Sequence, residues 1–226
     1  MLTQGIIFSY SLRSGAQIIL VNNLGLIYQP AKKHKQKFLI ITALNIPDVK
    51  LIEPTVLKDE RGYFFESFRA DIVKIEVGEI NFVQDNESKS SFGTLRGLHY
   101  QLPPYAQSKL VRVVQGRVLD VAVDIRKDSS TFGKFVSEEP SGENGKQLFI
   151  PRGFAHGFVV LSETAIFQYK VDNYYNKESE GGIIYNDSIL SIDWRIDSFK
   201  IVLSNKDQLL PMFSDAIYFT NPGLLY

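Results

Sequence analysis

The residues able to move a proton in this chain are few. Its 226 residues include three histidines and no cysteine. His34 lies in the basic run Lys32-Lys33-His34-Lys35-Gln36-Lys37, which reads as a solvated linker. His99 lies in Thr94-Leu-Arg-Gly-Leu-His-Tyr-Gln101, and His156 in Pro151-Arg-Gly-Phe-Ala-His-Gly-Phe158. A histidine in such a strand-like apolar setting is more often structural than catalytic. Its neighbours change the reading. Arg96 stands three residues before His99, and Lys109 ten after it. A base beside two cations suits an anionic substrate that loses a proton and builds up negative charge. The absence of cysteine removes disulfides, thiolate zinc sites, iron–sulfur clusters and cysteine nucleophiles. It is compatible with a reducing compartment, and we expect a cytoplasmic protein.

These residues need a scaffold. The chain is 44% apolar and 22% charged, the composition of a folded globular domain. Lys plus Arg and Asp plus Glu are 25 each, so there is no excess positive charge for a non-specific nucleic-acid partner. No stretch reaches the roughly 18 apolar residues of a membrane span, and the N-terminus does not read as a signal peptide. From about residue 48 onward, short runs of Val, Ile, Phe, Tyr and Leu alternate with Gly, Pro, Asp, Asn and Ser. In the run 109–128, Leu119, Val121, Val123 and Ile125 alternate onto one face. Gln115-Gly116 within it reads as a hairpin turn. Further strands are expected over 62–68, 81–85, 94–101, 146–150, 157–161, 165–171 and 182–185, and one short helix over 69–77. About nine short strands with frequent turns predict an antiparallel sandwich or barrel. Residues 1–45 read as an N-terminal extension of unknown role, 46–208 as the domain, and 209–226 as a short tail.

Alternation raises one difficulty. Arg96 and His99 are three apart, so a regular strand points them to opposite faces. Both reach one pocket only if the strand is irregular between them, and Gly97 is the expected bulge.

The spacing Pro151-x-Gly153-x-x-His156 resembles the second motif of cupin barrels. At the first-motif position the sequence reads His99-Tyr100-Gln101, which lacks the second histidine of metal cupins. Two histidines without a further ligand make a poor transition-metal site. We therefore expect an antiparallel cupin-like jelly-roll barrel, mainly β with few short helices, that holds no metal and no other cofactor.

Longer strings occur in a set order: Asp59-Glu-Arg-Gly-Tyr-Phe-Phe-Glu-Ser-Phe68, Phe82-Val-Gln-Asp-Asn86, Leu95-Arg-Gly-Leu-His-Tyr-Gln101, Lys109-Leu-Val-Arg112, Asp120-Val-Ala-Val-Asp-Ile-Arg-Lys127, Pro151-Arg-Gly-Phe-Ala-His-Gly-Phe158 and Tyr169-Lys170. From about residue 46 to 207 the chain resembles the dTDP-4-dehydrorhamnose 3,5-epimerases. The resemblance implies a substrate whose C4 ketone acidifies the hydrogens at C3 and C5, and epimerisation by a base on one face and an acid on the other. It implies His99 as the general base, Asp207 as the carboxylate that orients it, Tyr169 as the general acid, and Lys109 as the cation near the C4 oxygen. It implies substrate contacts from Arg61, Glu66, Gln84, Asp85, Asn86, Arg96, His156, Glu180 and Lys206, with Tyr174 or Tyr175 stacking on the thymine. It also implies a homodimer in which N-terminal strands cross to the partner, so that Arg61 and Glu66 serve the partner's site.

Three other readings compete. A relative inverting C3 alone on another dTDP-ketosugar would share the base and the acid. A metal-dependent cupin oxygenase is disfavoured by Gln101. A sugar-nucleotide binding module would have no need to keep His99, Tyr169 and Asp207 together.

Overall fold

The computed structural model describes residues 8–11, 17–21, 25–29, 39–220 and 225. His34 and the basic run around it lie outside the described residues. The chain divides into two units, residues 1–37 and 38–226. In the first, β1 (Phe8–Ser11), β2 (Gln17–Val21) and β3 (Gly25–Gln29) form an antiparallel meander in that order. The second begins earlier than the sequence reading placed it. Its first strand, β4 (Leu39–Ala43), pairs with β5 (Lys50–Pro54), setting Ile41 opposite Ile52, and Leu39 and Ile52 are buried in one cluster.

The second unit continues with β6 (Leu57–Asp59), β7 (Gly62–Phe64), α1 (Ala70–Glu76), β8 (Gln84–Ser91), β9 (Leu95–Gln101), β10 (Lys109–Gln115) and β11 (Val118–Asp124). There follow β12 (Phe135–Glu138), β13 (Gln147–Ile150), β14 (Phe154–Val160), β15 (Thr164–Val171) and β16 (Glu180–Gly182). A six-stranded sheet runs β4-β5-β13-β10-β15-β8, and a five-stranded sheet runs β12-β11-β14-β9-β16. The named pairings in both are antiparallel. The fold is the expected cupin-like jelly roll. No helix among the described residues is long and apolar enough to cross a membrane.

Three apolar layers hold the sheets. Between them lie Val111 and Phe167 of the six-stranded sheet with Val118, Ala122 and Phe158 of the five-stranded one. The rings of Phe158 and Phe167 stack with centroids 4.0 Å apart, joining the two walls. Truncating a ring buried like Phe167 costs about 3–5 kcal/mol. On the outer face of the five-stranded sheet, Leu119, Val121, Val123 and Ile125 pack as the alternation predicted. Trp194, Phe213, Phe219 and Leu225 cover them, so the stretch read as a short tail contributes Phe213, Phe219 and Leu225 to the core. The outer face of the six-stranded sheet is covered by Phe68, Ile72, Val77, Ile80 and Phe82, on and around α1. With both faces covered, every residue of β11 is buried, which explains its nearly unbroken apolar run.

Two strand readings are corrected. Gln115-Gly116 is not a hairpin turn: β10 and β11 belong to different sheets, and the chain crosses from one wall to the other there. Gly116 takes φ +80°, and a Cβ on it would lie 2.1 Å from the Thr164 carbonyl oxygen. The strand expected over 81–85 is β8, at Gln84–Ser91. Its sequence, QDNESKSS, has no apolar residue to signal alternation, yet its burial alternates, because even-numbered side chains turn inward and odd-numbered ones face water.

Candidate active site

A cavity of about 420 Å³ opens between the two sheets. The five-stranded sheet lends it Arg96, His99, His156 and Phe158, and the six-stranded sheet Asn86, Lys109, Phe167 and Tyr169. Ser204, Lys206 and Asp207 close one side. Apolar surface thus lies beneath a set of cations, an imidazole and a phenol.

The irregularity needed between Arg96 and His99 is present. On β9 these two residues pair with Phe158 and His156 of β14, three residue steps against two. Gly97, inside the bulge, takes φ +133°, where a Cβ would lie 2.4 Å from the Cα of Gly157. The extra residue turns both side chains into the cavity. Arg96 is held there by Ser90, whose Oγ accepts from its Nε (3.3 Å) and Nη2 (3.2 Å).

His99 and Asp207 form a dyad, Nε2 to Oδ1, at 2.5 Å. Asp207 begins a 3-10 turn, Asp207–Leu209. Ser204 supports it twice: its Oγ donates to Asp207 Oδ2 at 2.9 Å and accepts from the Asp207 N–H at 3.1 Å. Burial pushes the Asp207 carboxyl up, but the hydrogen bonds from His99 and Ser204 and the charge of Lys206 outweigh it and hold the carboxyl below its ordinary range. It is therefore an anion at neutral pH.

Across the cavity, Tyr169 stands on β15 opposite Val111 of β10 and Asn86 of β8. Burial raises its phenol pKa against the opposing charge of Arg96, so it keeps its proton through the neutral range. Lys109 enters from β10, its Nζ 3.5 Å from the His99 carbonyl oxygen. Burial lowers its pKa to about 8, while Asp120 and Glu180 pull the other way. His156 donates from Nε2 to Oδ2 of the buried Asp120 at 2.9 Å. Burial lowers its pKa, aided by Lys109 and opposed by Asp120, so the ring is neutral. Gln101, where metal cupins carry a ligand, instead accepts the Asn176 N–H on Oε1 at 2.8 Å.

Residues 43–215 match the model of a family described as dTDP-4-dehydrorhamnose 3,5-epimerase. The chain belongs to the dTDP-4-dehydrorhamnose 3,5-epimerase family. The enzyme of that name from Shigella flexneri is 55% identical over 175 residues, covering 77% of this chain and 96% of that protein. The crystal structure of the Elizabethkingia anophelis dTDP-4-dehydrorhamnose 3,5-epimerase superposes with a TM-score of 0.74 at 54% identity, covering 79% of this chain and 98% of that one. A dTDP-6-deoxy-D-glucose-3,5-epimerase from Legionella pneumophila, crystallised in complex with dTDP-4-keto-L-rhamnose, gives 0.76 at 47% identity, covering 83% and 97%.

Not every residue implied by the epimerase resemblance lines this cavity. His99, Tyr169, Asp207, Asn86, Arg96, Lys109, His156 and Lys206 do. Gln84 sits beside it, donating to Asn86 Oδ1 at 2.8 Å. Glu180 lies at its edge, ion-paired with Lys206 and accepting from the Tyr175 hydroxyl at 3.3 Å. Tyr174 and Tyr175 are exposed. Asp85 is one of the outward residues of β8 and pairs with Lys170 at 2.9 Å. Arg61 is remote, at the tip of the β6–β7 hairpin, 83% exposed and paired with Asp59. Glu66 is half-buried 3.6 Å from Arg69. The sequence reading of this epimerase missed Ser204, which supports Asp207, and Asp120, which holds His156. The pattern Ser204-x-x-Asp207 is a turn signal that could have revealed the first.

Proposed function

We propose that this chain inverts C3 and C5 of dTDP-4-dehydro-6-deoxy-D-glucose, giving dTDP-4-dehydro-L-rhamnose for dTDP-L-rhamnose biosynthesis. The observation that carries the reading is the placement of an imidazole and a phenol on opposite walls of one cavity. The ketone at C4 acidifies the hydrogens on both flanking carbons. His99, oriented by Asp207, takes the proton from one face of the ring. The electron pair moves into the C4 oxygen as an enolate, and the Lys109 ammonium stabilises that charge. Tyr169, with its proton retained by burial, protonates the carbon from the other face and inverts it. Each proton removed is replaced by one from the opposite wall, so the step is neutral in charge and uses no oxidant. His99 then gives its proton to solvent, Tyr169 takes one back, and rotation of the sugar in the cavity brings the second carbon to the restored pair.

The diphosphate needs cations and donors. Arg96 and Lys206 supply charge at the cavity, Asn86 and Gln84 supply amides, and Tyr174 or Tyr175 offers a face for the thymine. Arg61 and Glu66 act on a second copy's cavity in a homodimer. Support for this is the β6–β7 hairpin, which among the described residues pairs with no other strand and leaves Tyr63 59% and Phe64 65% exposed beside Arg61. That the Legionella relative holds dTDP-4-keto-L-rhamnose supports the substrate class.

The test is exchange in deuterated water, read separately at C3 and C5. Deuterium entering both carbons, and lost from both in His99→Ala, is the expected result. Exchange at C3 alone identifies a single-carbon epimerase instead, and near-normal exchange in His99→Ala refutes the assignment of the base.

A further inference from the structure

Asp120 does not line the cavity, yet it is the anion beneath it. It stands in β11 in the sequence Val-Leu-Asp-Val-Ala-Val-Asp, on the inward face shared with Val118 and Ala122, and its side chain has no exposure. Burying a carboxylate among such neighbours is costly unless both oxygens are satisfied. Only one is: Oδ2 receives the Nε2–H of His156, and Oδ1 has no hydrogen-bond partner among the described residues. A packing role would be filled better by another valine. The charged and titratable groups around Lys109 are Asp120 on β11, Glu180 on β16, His156 on β14, His99 and Arg96 on β9, Tyr169 on β15, Glu87 on β8, and Lys206 beside Asp207. Of the two acting anions, Glu180 is engaged by Lys206 at the edge. Asp120 stands behind His156, which lines the same cavity as Lys109.

We infer that Asp120 is a positioning residue that acts through two others: it fixes the ring of His156 in its Nε2–H tautomer, and it keeps Lys109 charged at the cavity wall. This rests on the reading of Lys109 as the cation that meets the enolate. It separates two functions of buried charge in the site. Asp207 serves the base, and Asp120 serves the groups that meet the developing anion.

The experiment is Asp120→Asn, which preserves shape and removes the charge. Competitive acetylation of Lys109 across pH, read by mass spectrometry on the substrate-free protein, should show its titration midpoint moved down by about one unit relative to the unaltered chain. The alkaline limb of the exchange rate should move down with it. In a Lys109→Arg background, where the cation does not titrate, Asp120→Asn should leave that limb unmoved. An unchanged Lys109 midpoint in a folded Asp120→Asn protein overturns the inference, as does a fall in rate with no movement of the pH profile. Nitrogen NMR of His156 in the unaltered protein needs no variant, and a ring protonated on Nδ1 rather than Nε2 would also overturn it. If the unaltered protein exchanges neither carbon, the epimerase reading fails, while the lysine titration still decides the role of Asp120.

Discussion

Asp207 reaches His99 from 108 residues further along the chain, with Oδ1 2.5 Å from Nε2. An Nε2–H donated to a carboxylate leaves the lone pair on Nδ1, the atom that would take the substrate's proton in the proposed mechanism. Asp207→Asn removes the charge that stabilises the resulting imidazolium. Exchange at C3 and C5 should fall about 10²–10⁴-fold, with KM little changed. Steady-state kinetics alongside a melting curve checks this. An undiminished kcat would remove Asp207 from the mechanism.

The same carboxylate links stability to acid. Its folded pKa lies below the ordinary value. The unfolded chain therefore binds a proton first as pH falls. The stabilisation is complete above about pH 4 and is lost as pH drops through the folded pKa. Melting temperatures of the unaltered chain should decline below about pH 4 more steeply than those of Asp207→Asn.

Tyr169→Phe separates proton removal from inversion. His99 can still abstract the proton and return a deuteron to the same face. The product is then exchanged sugar of unchanged configuration. Deuterium should enter C3 and C5 while formation of the L-configured product falls by about 10²-fold or more. Loss of both in parallel would mean that the phenol positions the substrate rather than donating the proton.

Lys109 predicts opposite pH trends for rate and stability. Its pKa is lowered to about 8. Above that pH the charge facing the enolate is lost, so kcat should fall. In the same range the unfolded chain still holds the proton that the folded chain has released. Stability therefore rises with pH between about 8 and the ordinary lysine value near 10.4. Lys109→Met should abolish the titration from both curves, and paired rate and melting profiles will show it.

Gly97→Ala tests the bulge. An alanine there must hold φ near +133° with its Cβ 2.4 Å from Gly157. The strand must shift, and Arg96 and His99 cannot then share a cavity. The variant should lose both activity and several kcal/mol of stability. Full activity in Gly97→Ala would mean that the bulge does not set the site.

The sequence made the chemistry easier to read than the walls. Pairing across β9 and β14 carries Arg96, His99 and His156 on apolar runs that signal strands, and the need for a bulge at Gly97 followed from counting alone. Strand β8 is hard to place from sequence because its inward side chains face a polar cavity, leaving no apolar period to detect. The crossing at Gln115-Gly116 looks like a hairpin, since a glycine between two strands reads alike whether the chain turns back or changes sheet. Phe213 and Phe219 follow no period because they sit on coil and short turns, so their packing is set by the sheet they cover. Alternation puts Asp120 on the face opposite Leu119 and Val121, but it does not tell which face of β11 lies behind the cavity, and so gives no role to the residue.

The segment that delivers Asp207 runs directly into the aromatic residues that cover the sheet bearing His99. Every strand of the two sheets precedes Asp207 in the chain. Undocking of that segment alone should leave the walls of the pocket standing while His99 loses the carboxylate that holds its ring, so a protein loosened there should keep its strands and yet turn over a ketosugar poorly.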